Sequence, residues 1–366
     1  MSVASVLLHH RDEPKRKRRK RRKEAEGAEV EIVSIDHIRA QPLDVRAAAY
    51  GLRPECFAKM LMMGAPIALL NIIWWCFRCP EASNLETLDF VELFSGVGMI
   101  VAAFKAAGLS AVGVDLVHRP GHDILSKEGI LTHVQFLRRL VYRAGTHWGT
   151  VCSTWVWLNR GTSRRHVDCA LGVPPRPPSV ELANRMVSLM CAFWIYITAN
   201  DGLFILEQPA SSLMKHHPRM KNARKLYAAW TQTETSMGAF GADTVKPSCL
   251  YCNDPVVKRL SRAMTQEQKH RLACLAPKDV AKKDAFGGVS GGADLKETQA
   301  YTKEYGEQVL VTYLQWKRQA QTIVDEGIVD ERIVDAEQAQ TDVHWKDAGL
   351  HEVCDWLGLP SDHLIA

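Results

Sequence analysis

The sequence predicts an α/β fold, in which helices cover both faces of a doubly wound sheet and extensions flank the sheet domain at both ends. Two observations predict this fold. From Leu88 onward, short apolar segments with β-branched residues alternate with longer segments of helical periodicity. Hydrophobic residues make up 46% of the chain and charged residues 24%, which is enough apolar sequence for a large core. Strands that alternate with helices in this way are typical of a doubly wound sheet.

The predicted elements follow in order along the chain. The apolar segment 88–94 is the first strand, and two glycines separate it from a helix that ends at Gly108. The second strand covers 110–115 and ends in an acidic residue. Beyond it the patterns predict a helix over 131–142, a strand around 148–152, a long apolar helix over 180–198, a strand over 203–206 and a helix over 301–320.

The two ends of the chain have opposite charge. Residues 1–23 carry ten cations against two acids, and nine of the cations form the unbroken run Lys15–Lys23. Such a run predicts a disordered basic arm over 1–30, typical of a nuclear-import signal or a nucleic-acid-binding arm, the alternative being a merely solvated tail. Residues 321–366 carry 11 acidic and two basic side chains. Ile-Val-Asp recurs there every five residues, a period that fits neither helix nor strand, so we predict an acidic low-complexity tail.

The predicted boundaries between these parts are as follows. A helical extension over 31–86 precedes the sheet domain over 87–255, and a helical segment over 256–320 leads to the acidic tail over 321–366. Within the first extension, residues 60–77 carry no charge. A membrane span needs about 20 apolar residues, and Pro66 and Asn71 interrupt this short stretch. We therefore predict a buried helix, with membrane attachment as the minor alternative.

Three polar features fall where the first strands are predicted to end, and ligands of doubly wound sheets bind at that edge. The loop Phe94-Ser95-Gly96-Val97-Gly98 follows the first strand, and its glycines let the backbone approach a cofactor. Asp115 ends the second strand, where a carboxylate can accept both hydroxyls of a ribose. Asp123 follows at a third loop that could meet an adenine amino group. The alternative for either aspartate is a helix cap or a turn.

Two further residues at predicted strand ends have chemistry of their own. Cys152 is followed by Arg160, Arg164 and Arg165, and nearby cations lower the pKa of a thiol and favour the nucleophilic thiolate. The alternative is a small core residue. Glu207 ends an apolar strand, and an apolar floor favours a carboxyl that holds its proton near neutrality. The alternative is a strand-end glutamate that faces solvent.

The ten cysteines of this 366-residue chain do not suggest a disulfide framework. Two pairs, Cys76-x-x-Cys79 and Cys249-x-x-Cys252, have the spacing of zinc ligands. Because the pairs lie far apart in the chain and the first ends an apolar helix, we expect buried thiols and predict no metal site.

Taken in order, five segments resemble the motifs of the cytosine-5 nucleic-acid methyltransferases, above all the divergent, phage-like members of that family. They are ELFSGVG (92–98), VD (114–115), HDI (122–124), VCS (151–153) and LEQP (206–209). The later segment MGAFGADTVKPSCLYCND (237–254) is similar to a part of those members in which a glycine turn leads to Lys-Pro. The resemblance covers residues 87–255 and implies a Rossmann-like sheet of the S-adenosylmethionine-dependent methyltransferases.

The resemblance implies a role in cofactor binding for the loop Phe94-Ser95-Gly96-Val97-Gly98 and for two aspartates of the next segments. Phe94 would pack on the adenine of S-adenosylmethionine, with Gly96 and Gly98 giving it room. Asp115 would hold the ribose, and Asp123 the adenine amino group.

The resemblance also implies the chemistry of the remaining segments. Cys152 would attack carbon 6 of a cytosine flipped out of its stack, which makes carbon 5 nucleophilic toward the methyl group. Glu207 would hydrogen-bond ring nitrogen 3. Arg164 and Arg165 would hold the target base or its phosphate. The implied partner is nucleic acid, with DNA favoured over RNA, and the basic arm favours the nucleus.

Two positions depart from the family pattern, since Val151 stands where the family has Pro and Gln208 where it has Asn. An Arg-rich family motif and a large target-recognition domain are also absent from the sequence. These departures leave a second hypothesis open, a catalytically degenerate protein that keeps the fold and binds nucleic acid. A methyltransferase for another acceptor is disfavoured, because the Asp/Asn-Pro-Pro-aromatic motif of base amino-group methylation is missing.

Overall fold

A computed structural model describes residues 41–78, 85–275, 281–283, 289–291, 294, 297–325 and 345–362. The described chain is an α/β structure built on a six-stranded mixed sheet. Its strands are β1 (Leu88–Leu93), β2 (Ala111–Val114), β3 (Leu140–Trp148), β4 (Leu203–Pro209), β5 (Thr231–Ser236) and β6 (Pro247–Cys252), and a separate hairpin pairs β7 (Ala281–Lys283) with β8 (Val289–Gly291).

The strand order in the large sheet is β2-β1-β3-β4-β6-β5. The first four strands pair in parallel, whereas β6 is antiparallel to both β4 and β5. The chain therefore runs outward from β1 to β2 and then returns across β1 to form β3. This reversal of direction opens a crevice beyond the carboxyl ends of β1 and β3, where ligands of such sheets bind.

Helices surround the sheet. They are α1 (Leu43–Ala49), α2 (Pro54–Met62), α3 (Ile67–Arg78), α4 (Met99–Ala106), α5 (Lys127–Arg138), α6 (Arg160–Ser163), α7 (Pro178–Ala199), α8 (Pro218–Leu226), α9 (Gln266–Cys274), α10 (Lys303–Asp325) and α11 (Leu350–Leu357). Short 3-10 turns join several of them, at Pro120–His122, Trp157–Asn159, Leu213–His216, Met237–Phe240, Pro255–Leu260, Glu297–Gln299 and Trp345–Ala348.

The sheet is buried on both faces, as the sequence predicts. Because successive strand residues point to opposite faces, Phe204 and Leu206 of β4 pack in one core with α3, α5, α7 and α11. Leu203 and Ile205 of the same strand pack in a second core with α4 and α10. The long apolar helix predicted over 180–198 is α7, which lies in the first core along most of its length.

The region between β2 and β3 differs from the prediction. The helix expected over 131–142 is α5, which begins earlier because the Oγ of Ser126 caps it by accepting a hydrogen bond from Gly129 N at 2.9 Å. It ends at Arg138, since Leu140 already pairs with Leu88 of β1. The strand expected around 148–152 therefore ends at Trp148, and Cys152 lies on the loop that follows.

The two extensions pack against each other. Helix α11 lies on α3 and α5, and Leu350, Val353 and Cys354 are fully buried in the first core. Across this contact the side chain of Asn71 donates to the carbonyl of Pro360 at 2.7 Å. The predicted low-complexity tail is therefore wrong for residues 345–362, whose apolar residues fill the core. Residues 326–344 of that tail and the basic arm 1–30 lie outside the described residues.

The uncharged stretch 60–77 forms the end of α2 and most of α3, and α3 is buried along most of its length, as predicted. Among the described helices, α7 alone has the length and composition to cross a membrane. In its most apolar window 78% of the residues are buried inside the protein, as in the core helix of a sheet domain.

Candidate functional site

The polar residues singled out in the sequence lie around the crevice between β1 and β3. The glycine loop follows β1, Asp115 follows β2, Cys152 follows β3 by four residues and Glu207 lies near the end of β4. The loops after β1 and β3 are joined directly, because Gly149 N donates to Leu93 O at 3.0 Å. Residues far apart in the sequence thus form one surface at one edge of the sheet.

The glycine loop has an unusual backbone. Phe94, Gly96 and Gly98 all have positive φ, at 59°, 51° and 76°. An added Cβ at Gly96 or Gly98 would meet no heavy atom within 4 Å, so conformation requires glycine there and the loop borders open space. Phe94 adopts such a backbone with a bulky side chain, which costs about 1–3 kcal/mol and is characteristic of ligand sites. Ser95 is buried within the loop, and its carbonyl accepts from Gly98 N at 2.8 Å.

Asp115 joins the glycine loop to the loop after β2. Its Oδ2 accepts from Gly96 N at 2.8 Å and its Oδ1 from Val117 N at 2.9 Å. His118 Nε2 lies 2.8 Å from the Gly96 carbonyl and closes the same contact. Each carboxylate oxygen retains acceptor capacity for a further donor from outside the protein. Asp115 is therefore already oriented toward the space in front of the glycine loop.

Asp123 acts as a turn residue in front of α5. Its Oδ1 accepts from Leu125 N at 3.0 Å, and its carbonyl accepts from Ser126 Oγ at 2.9 Å. The alternative proposed for this aspartate, a turn, is thus confirmed. Its Oδ2 accepts no hydrogen bond from the part of the chain that the structure describes, so one carboxylate oxygen is still available to a ligand.

The edge of the sheet in front of the glycine loop combines hydrogen-bond acceptors with apolar surface. The open glycine loop admits a close approach of the backbone, and Asp115 supplies paired oxygens for vicinal hydroxyls. Val97, Leu116 and Val117 surround the space with apolar side chains that are 64%, 56% and 76% exposed. Exposed apolar side chains beside an oriented carboxylate match a ligand with one flat apolar part and one sugar.

Cys152 is half-buried, and its surroundings differ from the prediction. Burial raises the pKa of the Cys152 thiol, and the negative charge of Glu207 raises it further, whereas Lys246 lowers it. The prediction that Arg160, Arg164 and Arg165 lower this pKa is wrong, because none of the three contributes to it. At neutral pH the thiol is therefore the main form.

Glu207 is the most firmly held of the candidate side chains. It is buried, its Oε1 accepts from Ser248 Oγ at 2.5 Å, and its Oε2 accepts from Tyr301 Oη at 3.0 Å. Lys246 Nζ lies 3.9 Å from the same Oε2. As predicted, the residues of β4 before Glu207 are apolar, but polar groups surround its carboxylate.

Gln208 connects the strand of Glu207 to the loop of Cys152. The side chain is buried, and its Nε2 donates to the carbonyl of Thr150 at 2.7 Å, two residues before the cysteine. Its Oε1 accepts from Ser212 Oγ at 3.1 Å. Gln208 therefore helps to hold the segment of Glu207 against the segment of Cys152.

The two arginines predicted to hold the target lie in different environments. Arg165 is buried, and its guanidinium donates to Asn184 Oδ1 at 2.7 Å and to the carbonyls of Ala170 and Val180. The prediction that it contacts a base or phosphate is wrong, since the side chain is only 1% exposed and both terminal nitrogens donate inside the protein. Arg164 is exposed, has a φ of 53° and donates to the Pro175 carbonyl at 3.1 Å.

Two residues of the site carry no individual sequence signal. Lys246 has a φ of 33° at the start of β6, and its ammonium lies 5.2 Å from the ring centre of Tyr301. Tyr301 precedes α10 and reaches back across the sheet edge to Glu207, and its hydroxyl lies 2.8 Å from where a Cβ on Gly149 would stand. In the sequence the Lys-Pro pair stands out only as part of a resemblance, and only the folded chain shows that its lysine lies beside Glu207.

Of the two cysteine pairs with the spacing of zinc ligands, the pair on β6 is fully described by the structure. Cys249 and Cys252 lie on β6 an odd number of residues apart, so their side chains enter opposite cores. They could not bind one ion while the strand remains in the sheet. Cys76 is buried, and Cys79 lies outside the described residues. The residues that the structure describes hold no cluster of three or more metal-ligating side chains.

In comparisons with known proteins, no family model matches this chain, and no curated protein matches its sequence.

Proposed function

We propose that this protein is an S-adenosylmethionine-dependent methyltransferase that methylates carbon 5 of cytosine in nucleic acid, with DNA the favoured polymer. One observation carries the proposal. Gln208, next to Glu207, donates to the Thr150 carbonyl two residues before Cys152, so the two residues lie on joined segments beside a glycine loop with an oriented aspartate. A nucleophile, an acid and a nucleoside-binding edge at one crevice are the groups that this reaction needs.

In this proposal the residues after β1 and β2 hold the cofactor. Asp115 accepts the ribose hydroxyls, Phe94 lies under the adenine and Asp123 Oδ2 accepts from the adenine amino group. Bound S-adenosylmethionine supplies an electrophilic methyl group. Because the glycines of this loop have no side chains, the methyl donor could approach the backbone and face the loop of Cys152.

The residues after β3 and β4 act on the base. The thiol proton of Cys152 passes to water and the sulfur bonds to carbon 6, while the Glu207 carboxyl hydrogen-bonds at ring nitrogen 3 and stabilises the charge that develops on the ring, so that electron density reaches carbon 5. After carbon 5 is methylated, its original proton passes to water, the electron pair of that bond re-forms the double bond between carbons 5 and 6, and the sulfur leaves carbon 6 as a thiolate. Ser248, Tyr301 and Lys246 fix the position of the Glu207 carboxyl throughout.

A covalent trap tests the proposal. Oligonucleotides with 5-fluorocytosine cannot lose the group on carbon 5, so the enzyme should remain bonded to them in the presence of S-adenosylmethionine. We expect an adduct with the unaltered protein and none with Cys152→Ala. Cys169→Ala is the matched control, because Cys169 is also half-buried and follows in the same loop region. An adduct that survives in Cys152→Ala would contradict the proposed nucleophile.

A second function, binding of nucleic acid without catalysis, is favoured by the exposed cations Arg160 and Arg164, which can contact phosphates without any reaction at Cys152. This function predicts S-adenosylmethionine or nucleic-acid binding but no adduct with either DNA or RNA. It also predicts affinity that falls steeply with salt and with deletion of Lys15–Lys23. Affinity that is indifferent to both changes would count against it.

A further inference from the structure

The segment between Cys152 and α7 is a rigid platform. Arg165 anchors it from within, with hydrogen bonds to Thr154 at 3.3 Å and to Asn184 at 2.7 Å, on either side of the segment. The guanidinium also lies 3.4 Å from the ring centre of Trp155, which is fully buried. A buried arginine with this many partners fixes the path of the backbone, so the outer side chains of the segment have defined positions.

This platform presents an aromatic ring to solvent directly after the candidate nucleophile. Trp157 is 41% exposed and its neighbour Leu158 is 61% exposed. The guanidinium of Arg160 lies over the indole at 4.3 Å from the ring centre. The arginine covers one face of the ring, and the exposure of the side chain leaves indole surface for a second flat partner.

The surface around this ring is cationic. Arg160 and Arg164 are exposed on the platform, where Asp168 is the one acidic residue between 151 and 180. The segment 208–233 contains no acidic residue at all. Its exposed cations are Lys215, Lys221, Arg224 and Lys225.

The two cationic segments are continuous in the fold. Val156 and Ser212 form a β-bridge, and Leu213 N donates to the carbonyl of Trp155 at 2.8 Å. His216, next to Lys215, is close enough to Asp168 to feel its charge. The aromatic ring therefore lies at one end of a basic surface that continues onto the turn before α8.

We propose that this surface binds an unpaired strand of nucleic acid, with one base stacked on Trp157 and the phosphates along Arg160, Arg164 and Lys215. The inference rests on the proposed function and names the form of its polymer. A base can stack on an indole only when its own face is uncovered, and in a duplex neighbouring bases cover those faces. Aromatic rings interleaved with cations are the recognition chemistry of single strands. Binding an unpaired target also avoids the cost of flipping a base out of a duplex, which is about a few kcal/mol.

The test is binding of the whole chain to fluorescein-labelled oligo(dT) of about 12 nucleotides, measured by fluorescence anisotropy. Oligo(dT) contains no cytosine, so the measurement is independent of methyl transfer. We expect Trp157→Ala to raise Kd about 5- to 100-fold, the loss of one base–aromatic stack, and Trp157→Phe to keep most of the affinity. Trp356→Ala is the matched control, since that tryptophan is 43% exposed on α11 and should leave Kd unchanged.

Charge variants and a duplex complete the test. Arg160→Gln and Lys215→Gln should each make Kd less dependent on salt, because each removes a phosphate contact. An oligo(dA)·oligo(dT) duplex that binds as tightly as oligo(dT), or a Trp157→Ala variant with unchanged Kd, would overturn the inference. Binding that depends on Trp157 without a 5-fluorocytosine adduct would instead refute methyl transfer and leave this surface standing. A 5-fluorocytosine adduct combined with binding that does not depend on Trp157 would support methyl transfer and refute this surface.

Discussion

Glu207 is held in one orientation by its neighbours in the fold. Its carboxylate has a hydroxyl donor on each oxygen, Ser248 and Tyr301, and an ammonium at 3.9 Å. These groups come from β6 and from the start of α10, on segments well separated from β4 in the sequence. The carboxyl is therefore oriented before any base arrives, which is how a site avoids reorganisation during the reaction.

We predict that Tyr301→Phe slows adduct formation with 5-fluorocytosine about 10- to 100-fold, because the Glu207 carboxyl loses a hydroxyl that orients it, and a misplaced group at a reacting centre can cost about 100-fold in rate. The rate of adduct formation with excess S-adenosylmethionine measures this effect. Tyr305→Phe is the control, since the Tyr305 hydroxyl lies 3.1 Å from His147 Nε2 and makes no hydrogen bond to Glu207. Equal rates for the two variants would show that Tyr301 has only a structural role.

At the residue scale the sequence predicted side chains that follow strands and missed those that reach the site through packing. The positions of Gly96, Asp115 and Cys152 after strands follow from local patterns, because the carboxyl ends of parallel strands share one edge. Arg165 was misassigned, since nothing in the local sequence shows that its guanidinium donates to Asn184 and packs on the ring of Trp155. Tyr301 was missed because its partner lies 94 residues away.

At the scale of elements, the parallel strands β1, β2 and β4 were predicted, β3 was placed too late in the chain, and the antiparallel strands β5 and β6 were missed. Strands β1 and β4 are apolar runs, as expected for strands buried on both faces. Strand β5 reads Thr-Gln-Thr-Glu-Thr-Ser and is partly exposed, because it lies at the edge of the sheet. Such a polar segment carries little of the apolar alternation on which strand prediction depends.

The loop after β3 depends on β4 for its position, and this dependence can be tested at Gln208. We predict that Gln208→Ala lowers the free energy of unfolding by about 1–3 kcal/mol, because the buried Thr150 carbonyl loses its side-chain donor. The loosened loop should also let a thiol reagent modify Cys152 faster at fixed pH, as measured by mass spectrometry of the peptide that contains it. Ser211→Ala, at an exposed position nearby, is the control and should change neither quantity. Faster modification without a loss of stability would contradict this account.

At the scale of the whole molecule, the two ends of the chain complete one core. Helices α3 and α11 belong to opposite extensions, yet Cys354 Sγ lies 3.5 Å from the Ala68 carbonyl and both helices face α5. The acidic composition of 321–366 concealed this helix, because average charge does not show that a few apolar residues recur at helical spacing in 350–357. The extensions thus belong to the fold of the sheet domain rather than to separate units.

The sheet itself contains an acid that makes the stability of the whole molecule depend on pH. Glu92 of β1 is fully buried beneath the glycine loop, and its Oε2 accepts from Val101 N of α4 at 3.0 Å. Burial raises the pKa of Glu92 to about 8, Asp115 raises it further and the hydrogen bond from Val101 opposes the shift. Tyr301 and Tyr305 also lie within range of its charge. At neutral pH the folded protein therefore keeps a proton that the unfolded chain has released.

The sign of the pH dependence follows from this proton. Below the unfolded pKa of 4.5 both states are protonated, and between 4.5 and about 8 the folded state binds the extra proton, so stability falls as pH rises through that window. We predict that Glu92→Gln removes this fall, since the amide mimics the neutral carboxyl and its oxygen can still accept from Val101. The difference in unfolding free energy between the two proteins should change by up to ~1.4 kcal/mol per pH unit from pH 5 to 8. Urea unfolding at several pH values measures this difference.

Other titrating groups, such as the buried His147 whose pKa burial lowers to about 3, are common to both proteins and largely cancel in the difference. A difference that stays constant over this range would mean that the folded protein holds Glu92 ionised beneath the glycine loop.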